Sequence, residues 1–127
     1  ENSYLIYMTG NCRSLGDVVE LTDDHIEGVV KEGMKVVVVE DRISTGGSSL
    51  KAVEAIRNNA CDVIGMIASY TYGFPVAEKA FEDAKVKLVT LTDYDHVVAE
   101  ALETGYIANE DVEVLHKWRK DPANWNK

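Results

Sequence analysis

A chain of 127 residues, with 46% hydrophobic and 28% charged side chains, is long and apolar enough to bury one core and too apolar to stay disordered. Its net charge of −9 and isoelectric point near 4.7 argue against a nucleic-acid-binding surface, which needs clustered Lys and Arg to displace counterions. The same acidity leaves room for an anionic small molecule, because one local site with backbone amides and a metal ion can bind phosphate.

The apolar runs are strand-sized, and none approaches the roughly 20 residues of a membrane-crossing helix. No charged-then-apolar leader opens the chain, so a soluble, cytoplasmic protein is expected. Cys12 and Cys61 lie far apart without a Cys-x-x-Cys pair, and His25, His96 and His116 are scattered. Free thiols and no zinc site are expected. The acids Asp17, Glu20, Asp23, Asp24, Glu27 and Glu32 read as a solvated face.

In chain order, Tyr4–Met8 reads as a strand and Thr9–Gly16 as a loop. Asp17–Val30 is ambiguous: Val18, Val19 and Leu21 favour a strand, whereas Thr22-Asp23-Asp24-His25 resembles a helix start. Lys31-Glu32-Gly33 is a turn. Val36–Val39 is a β-branched run, apolar on both faces, which belongs in a sheet covered on both sides. Ser44–Ser49 is the next loop. Leu50, Val53 and Ile56 then repeat at helical spacing beside Ala52 and Ala55, until Asn58-Asn59.

Val63–Tyr72 is a further strand, closed by Gly73. Pro75 suits the first turn of a helix, whose buried stripe is Val76, Ala77, Ala80, Phe81 and Ala84. Val86–Leu91 is the next strand. Asp93 or Asp95 caps a helix through Leu102, and Asn109 caps another with Val112, Leu115 and Trp118 on one face. The alternation of strand and helix predicts an α/β fold with right-handed crossovers, a largely parallel sheet and flanking helices, in one domain over residues 1–127.

Ligands in open α/β sheets bind at the carboxyl ends of strands. The most informative end is Glu40-Asp41-Arg42-Ile43-Ser44-Thr45-Gly46-Gly47-Ser48-Ser49. Gly46 and Gly47 let the backbone approach a ligand closely, and Ser44, Thr45, Ser48 and Ser49 offer hydroxyls. The amides that open the following helix favour an anion. Glu40 and Asp41, just before this cradle, can accept ribose hydroxyls or help hold a metal ion, directly or through water. No Lys follows the glycines as a Walker loop requires, and Gly-x-Gly-x-x-Gly is absent.

Val36–Ser48 resembles the phosphoribosyl-pyrophosphate signature of type I phosphoribosyltransferases. Thr71-Tyr72-Gly73-Phe74-Pro75, Leu91-Thr92-Asp93-Tyr94 and Trp118-Arg119-Lys120-Asp121-Pro122 are similar to stretches of bacterial orotate phosphoribosyltransferases, and Ile26-Glu27-Gly28 also fits. The resemblance spans residues 26–127 and leaves 1–25 divergent. It implies a type I phosphoribosyltransferase-like core with an incomplete hood, because the family's hood and pyrophosphate loop lie upstream and are not recognisable here.

The resemblance further implies that orotate and phosphoribosyl pyrophosphate are joined with Mg²⁺, releasing pyrophosphate, in a cytoplasmic homodimer. Glu40 and Asp41 would meet the ribose hydroxyls, Asp41 with a share in stabilising charge on the sugar. Ser44, Thr45, Gly46, Gly47 and Ser48 would grip the 5′-phosphate. Two departures stand out. The family's loop lysine should fall between Met8 and Ile26, where Arg13 is the only fixed cation. Arg42 replaces a usually apolar residue and reads as surface. An alternative is a non-catalytic module that binds the sugar phosphate alone; another base, uracil or a purine, is also left open. Tyr70, Tyr72 and Phe74 read as packing, Trp118 and Trp125 as closing a core or interface.

Overall fold

The valine run of Val36–Val39 extends further than its β-branched residues alone require. In the computed structural model it forms β4, Lys35–Ile43, so both acids and Arg42 still lie within the strand. The structure describes residues 31–126, together with the backbone of three short strands: β1 (Ser3–Leu5), β2 (Tyr7–Met8) and β3 (Ile26–Glu27). After β4 come α1 (Gly47–Asn58), β5 (Asp62–Thr71), α2 (Pro75–Asp83), β6 (Leu88–Asp93), α3 (Tyr94–Glu103) and α4 (Asn109–Lys120). A 3-10 turn, Pro122–Asn124, follows where Pro122 stops α4.

The sheet is parallel throughout, in the order β1-β4-β5-β6. The expected strand Tyr4–Met8 divides: β1 joins the main sheet, and β2 pairs antiparallel with β3. Of the ambiguous stretch Asp17–Val30, Ile26–Glu27 is strand; the expected Thr9–Gly16 loop and Cys12 lie outside the described residues.

One face of the sheet carries the core. Val36 and Val38 of β4, with Val63, Met66 and Ala68 of β5, are buried beneath Val53 and Ile56 of α1 and Ala77 and Phe81 of α2. Strands added in one direction with crossovers of one hand place their helices on one side. The opposite face is uncovered by the described residues. Val39, Ile67 and Val89 stand in register across three strands, yet are 60%, 42% and 47% exposed. The expected two-sided cover is thus present on one side only among the described residues.

Two boundaries differ from the sequence reading. The strand expected at Val86 begins at Leu88, because Val86 is still turning out of α2. Its amide donates to Phe81 O and its side chain plugs the core, while Lys85 before it has a φ of 55°. The α4 cap is Ala108 rather than Asn109: the Ala108 amide donates to Asp111 Oδ2 at 2.8 Å. Cys61 is a free, buried thiol. No described helix is long and apolar enough to cross a membrane.

Asp93 does cap α3, accepting from the His96 amide at 2.9 Å and meeting the His96 ring at 2.8 Å. The amide, and then the ring, hold the Asp93 carboxyl below its ordinary range. The same hydrogen bond and the carboxylate's charge hold the imidazole above its usual value. The pair therefore favours the folded state while both are charged. The histidine part fades as pH rises through its raised value, and the aspartate part fades as pH falls through its lowered one. The His96 ring is expected to titrate above pH 6.5 by NMR, and to fall back toward that value in Asp93→Asn.

Ile56 is fully buried at the centre of α1's inner face. Ile56→Ala should lower unfolding free energy by about 2–5 kcal/mol, read by urea denaturation with an unchanged slope.

Candidate functional site

The sheet's period of two sorts the end of β4. Glu40 falls on the face that α1 covers. There Glu40 Oε2 accepts from the buried Ser49 hydroxyl at 2.9 Å, and Oε1 accepts from the Asp41 amide at 3.1 Å. Asp41 starts from the opposite face and is exposed. The two carboxyls still interact around the strand end. A side-chain hydrogen bond with Glu40 is the main reason that Asp41 is held below the usual carboxylate range; the Arg42 amide donating to it and the Arg42 charge add to this.

Ser49 had been expected to offer its hydroxyl to a ligand. It is instead 3% exposed and committed to Glu40. A small polar residue at a buried helix position, nine residues after an acid, is the signal for this bond, and its register emerges only once the loop is closed.

The bend between β4 and α1 is shaped by Gly46. It takes a left-handed φ of 83° as the residue before α1, and a Cβ there would lie 2.8 Å from Phe81 Cε2. The backbone amides of Ser44, Thr45, Gly46, Gly47 and Ser48 have no acceptor among the described residues. Those at the start of α1 project from the positive end of its dipole. The hydroxyl-bearing Ser44, Thr45 and Ser48 are exposed around them. The bend therefore presents unpaired donors, two glycines and, just before it, two acids.

Beside the bend, β5 ends in an aromatic cluster. The Tyr72 and Phe74 rings lie 5.4 Å apart at 6°, with Tyr70 edge-on to Tyr72 at 5.1 Å. Trp118 from α4 closes on both Tyr72 and Phe74, and on Tyr94. Packing is thus what these rings do, as their place at a strand end suggests. Burial pushes Tyr70 up to about 12 and raises Tyr94, so both keep their protons at neutral pH. Tyr94 spends its own on Leu115 O at 2.8 Å. Trp125, with Tyr94, Val114, Leu115 and Trp118, lines a second, apolar cleft of about 370 Å³.

Arg119 anchors this corner and carries no sequence signal of doing so. Its Nε donates to Tyr72 O at 3.0 Å, Nη2 to Gly73 O at 3.2 Å, and Nη1 to Asp95 at 3.0 Å. Asp95, expected as a helix cap, is thereby this arginine's partner. Arg42, Ser44, Tyr72, Phe74, Trp118 and Pro122 line an open cleft of about 330 Å³ next to the bend. The surface reading of Arg42 holds, since it is exposed.

No group of three or more potential metal ligands occurs among the described residues. The Glu40–Asp41 pair suits a hard cation that brings most of its oxygen ligands from water and substrate, as Mg²⁺ does. The hydrogen bond with Glu40 and the Arg42 amide that lower the acid's pKa favour the ionised form of Asp41.

Comparison with known proteins identifies the relatives. The chain is 71% identical over 100 residues to the orotate phosphoribosyltransferase of Bacteroides fragilis, covering 79% of this chain and 47% of that protein. It is 49% identical over 104 residues to the orotate phosphoribosyltransferase of Listeria monocytogenes, covering 82% and 50%. Over that stretch the chain is similar to orotate phosphoribosyltransferases.

The chain spans about half the length of the curated relatives it matches. The solved structures agree on the fold. The orotate phosphoribosyltransferase of Mycobacterium tuberculosis matches with a TM-score of 0.52 and 30% identity, over 58% of this chain and 42% of that one. The UMP synthase of Leishmania donovani gives a TM-score of 0.68 at 18% identity, over 76% and 21%, and bears on the fold alone. No family-level sequence profile matches the chain.

Because Gly46 needs both its left-handed backbone and the space above Phe81, Gly46→Ala should destabilise. Backbone strain of about 1–2 kcal/mol and overpacking of a similar size give about 2–4 kcal/mol together. Thermal unfolding would read it, and Phe81→Leu in the same chain should recover part of the overpacking loss.

Proposed function

We propose that this chain carries the phosphoribosyl-pyrophosphate-binding part of an orotate phosphoribosyltransferase site. The observation that carries the reading is the run of unpaired amides from Ser44 to Ser48, directly after two adjacent carboxylates. The 71% identical relative supports the choice of orotate.

The 5′-phosphate sits on the amides of Ser44, Thr45, Gly46, Gly47 and Ser48, with hydroxyls of the same loop completing its shell. Glu40 and Asp41 receive the ribose 2′- and 3′-hydroxyls. Ser49 fixes the orientation of Glu40, so one acid is held rigidly and the other stays open to solvent and metal. In the reaction, a ring nitrogen of orotate, its N–H proton released to water, bonds to the anomeric carbon as that carbon's bond to pyrophosphate breaks, and pyrophosphate leaves with the bonding pair. Positive charge gathers on the sugar meanwhile, and the Asp41 carboxylate is placed to stabilise it. Glu40 and Asp41 would hold Mg²⁺, directly or through water, and it would supply positive charge to the departing pyrophosphate. The working protein is cytoplasmic and a homodimer, in keeping with the family that the sequence resembles.

A second reading is favoured by one observation: Arg13 is the only fixed cation between Met8 and Ile26, and no lysine stands there. A module that grips the sugar phosphate without turning it over would look the same at the bend.

The test is loss of orotate absorbance when the chain meets orotate, phosphoribosyl pyrophosphate and Mg²⁺. Turnover is expected, with kcat/KM reduced about a hundredfold in Asp41→Asn, as for removal of one transition-state charge partner. Binding of phosphoribosyl pyrophosphate by calorimetry without turnover would leave the module alone standing. If the ligand does not bind at all, both readings fall.

A further inference from the structure

The strand end at Ile43 is held from two directions. Its side chain is fully buried in the core, and its carbonyl accepts the Tyr72 amide at 3.1 Å. The Ile43–Ser44 peptide is trans and planar, so Ile43 O and the Ser44 N–H share one plane and point opposite ways. With the oxygen turned to Tyr72, the Ser44 amide faces away from it. That amide is the first of the unpaired row that runs to Ser48.

Tyr72 is held in turn by a side chain from the last helix. Arg119 of α4 lays one edge of its guanidinium along two successive carbonyls, with Nε donating to Tyr72 O at 3.0 Å and Nη2 to Gly73 O at 3.2 Å. Nη1 meets Asp95 at 3.0 Å, and the guanidinium carbon lies 5.5 Å from the centre of the Tyr94 ring. The corner is shaped for this approach. Gly73 has a left-handed φ of 67°, and a Cβ there would lie 2.9 Å from Nη2. Asp95 is 59% exposed against 28% for Arg119, so solvent weakens the ion pair and the carbonyl bonds are the firmer part of the contact.

We propose that Arg119 is a positioning residue for the phosphate bend: it fixes the Tyr72 backbone, which holds the Ile43–Ser44 peptide so that the Ser44 amide is presented to the anion. The inference rests on the sugar-phosphate reading given above, and adds to it a residue that does not touch the ligand.

The choice of arginine follows from the acceptors. Two carbonyls in succession call for two parallel donors, which a guanidinium edge supplies and a lysine ammonium does not. Without that tether the Ser44 amide is still a donor, but its peptide must be ordered when the anion arrives, and affinity falls by that cost.

Phosphoribosyl pyrophosphate with Mg²⁺, titrated into the whole chain by calorimetry, tests this. Arg119→Ala is expected to raise Kd about tenfold, the equivalent of 1.4 kcal/mol. Arg119→Lys should raise it nearly as much, because one ammonium cannot span both carbonyls. In the ligand-free chain both variants should speed hydrogen exchange at the Tyr72 amide. Leu115→Ala is the control: it loosens the same helix from its apolar side, keeps the guanidinium, and should leave Kd within about twofold. All are compared at a temperature where circular dichroism shows each one folded, and the lysine variant carries the test if the alanine variant does not fold.

An unchanged Kd in the folded Arg119 variants would overturn the proposal and leave the functional reading intact. An equal rise in Leu115→Ala would also overturn it, since Arg119 would then be one packing contact among several. Failure of the original chain to bind phosphoribosyl pyrophosphate would overturn the functional reading and this proposal with it.

Discussion

Burial of one face of β4 is the constraint on which the rest of the structure depends. Val36 and Val38 must lie under α1, so the residues up to Asp41 are assigned a side before any chemistry is considered, while Ile43 at the strand's end turns into the same cluster. Continuing that alternation brings Glu40 to Ser49 and leaves Asp41 outside. A slip of one residue would exchange the two acids, bury Asp41 beneath the helix and expose valines. The apolar core thereby sets the roles of two carboxylates that make no apolar contact of their own.

Parallel pairing adds the second requirement. β4 and β5 run together to Ile43 and Thr71, and β5 and β6 to Thr71 and Asp93. All three strands therefore release their chains at one edge. The bend at Gly46, the aromatic corner after Tyr70 and the cap at Asp93 meet there because the ladders end in step. The Tyr72 amide donates to Ile43 O at 3.1 Å and ties the corner directly to the end of β4.

Much of this was legible in the residues. The strand-and-helix alternation, the inner stripe of α1 and the acid-then-glycine order at residues 40–48 all follow from period and residue type. What escaped has a common cause: it depends on partners distant in sequence. Arg119 reaches back 47 residues to Tyr72, and no local pattern marks an arginine that will do so. Ser49 looks like any loop serine until the closure of the bend presents it to Glu40. Val86 reads as strand because it is β-branched, yet tertiary packing uses it as a core plug first. The bare row of Val39, Ile67 and Val89 has the opposite origin: the sequence marks both faces as apolar, and the described residues cover one.

Gly46 has a wider consequence. Phe81 lies directly above it and leaves no room for a Cβ, and Phe81 belongs to a helix 35 positions later in the chain. The shape of the bend and the docking of α2 therefore meet in one contact. On the proposed reading, an anion held at the bend would slow the exchange of α2 amide hydrogens by mass action. A small ligand touching a handful of backbone atoms would in this way report on the assembly of the whole helical layer.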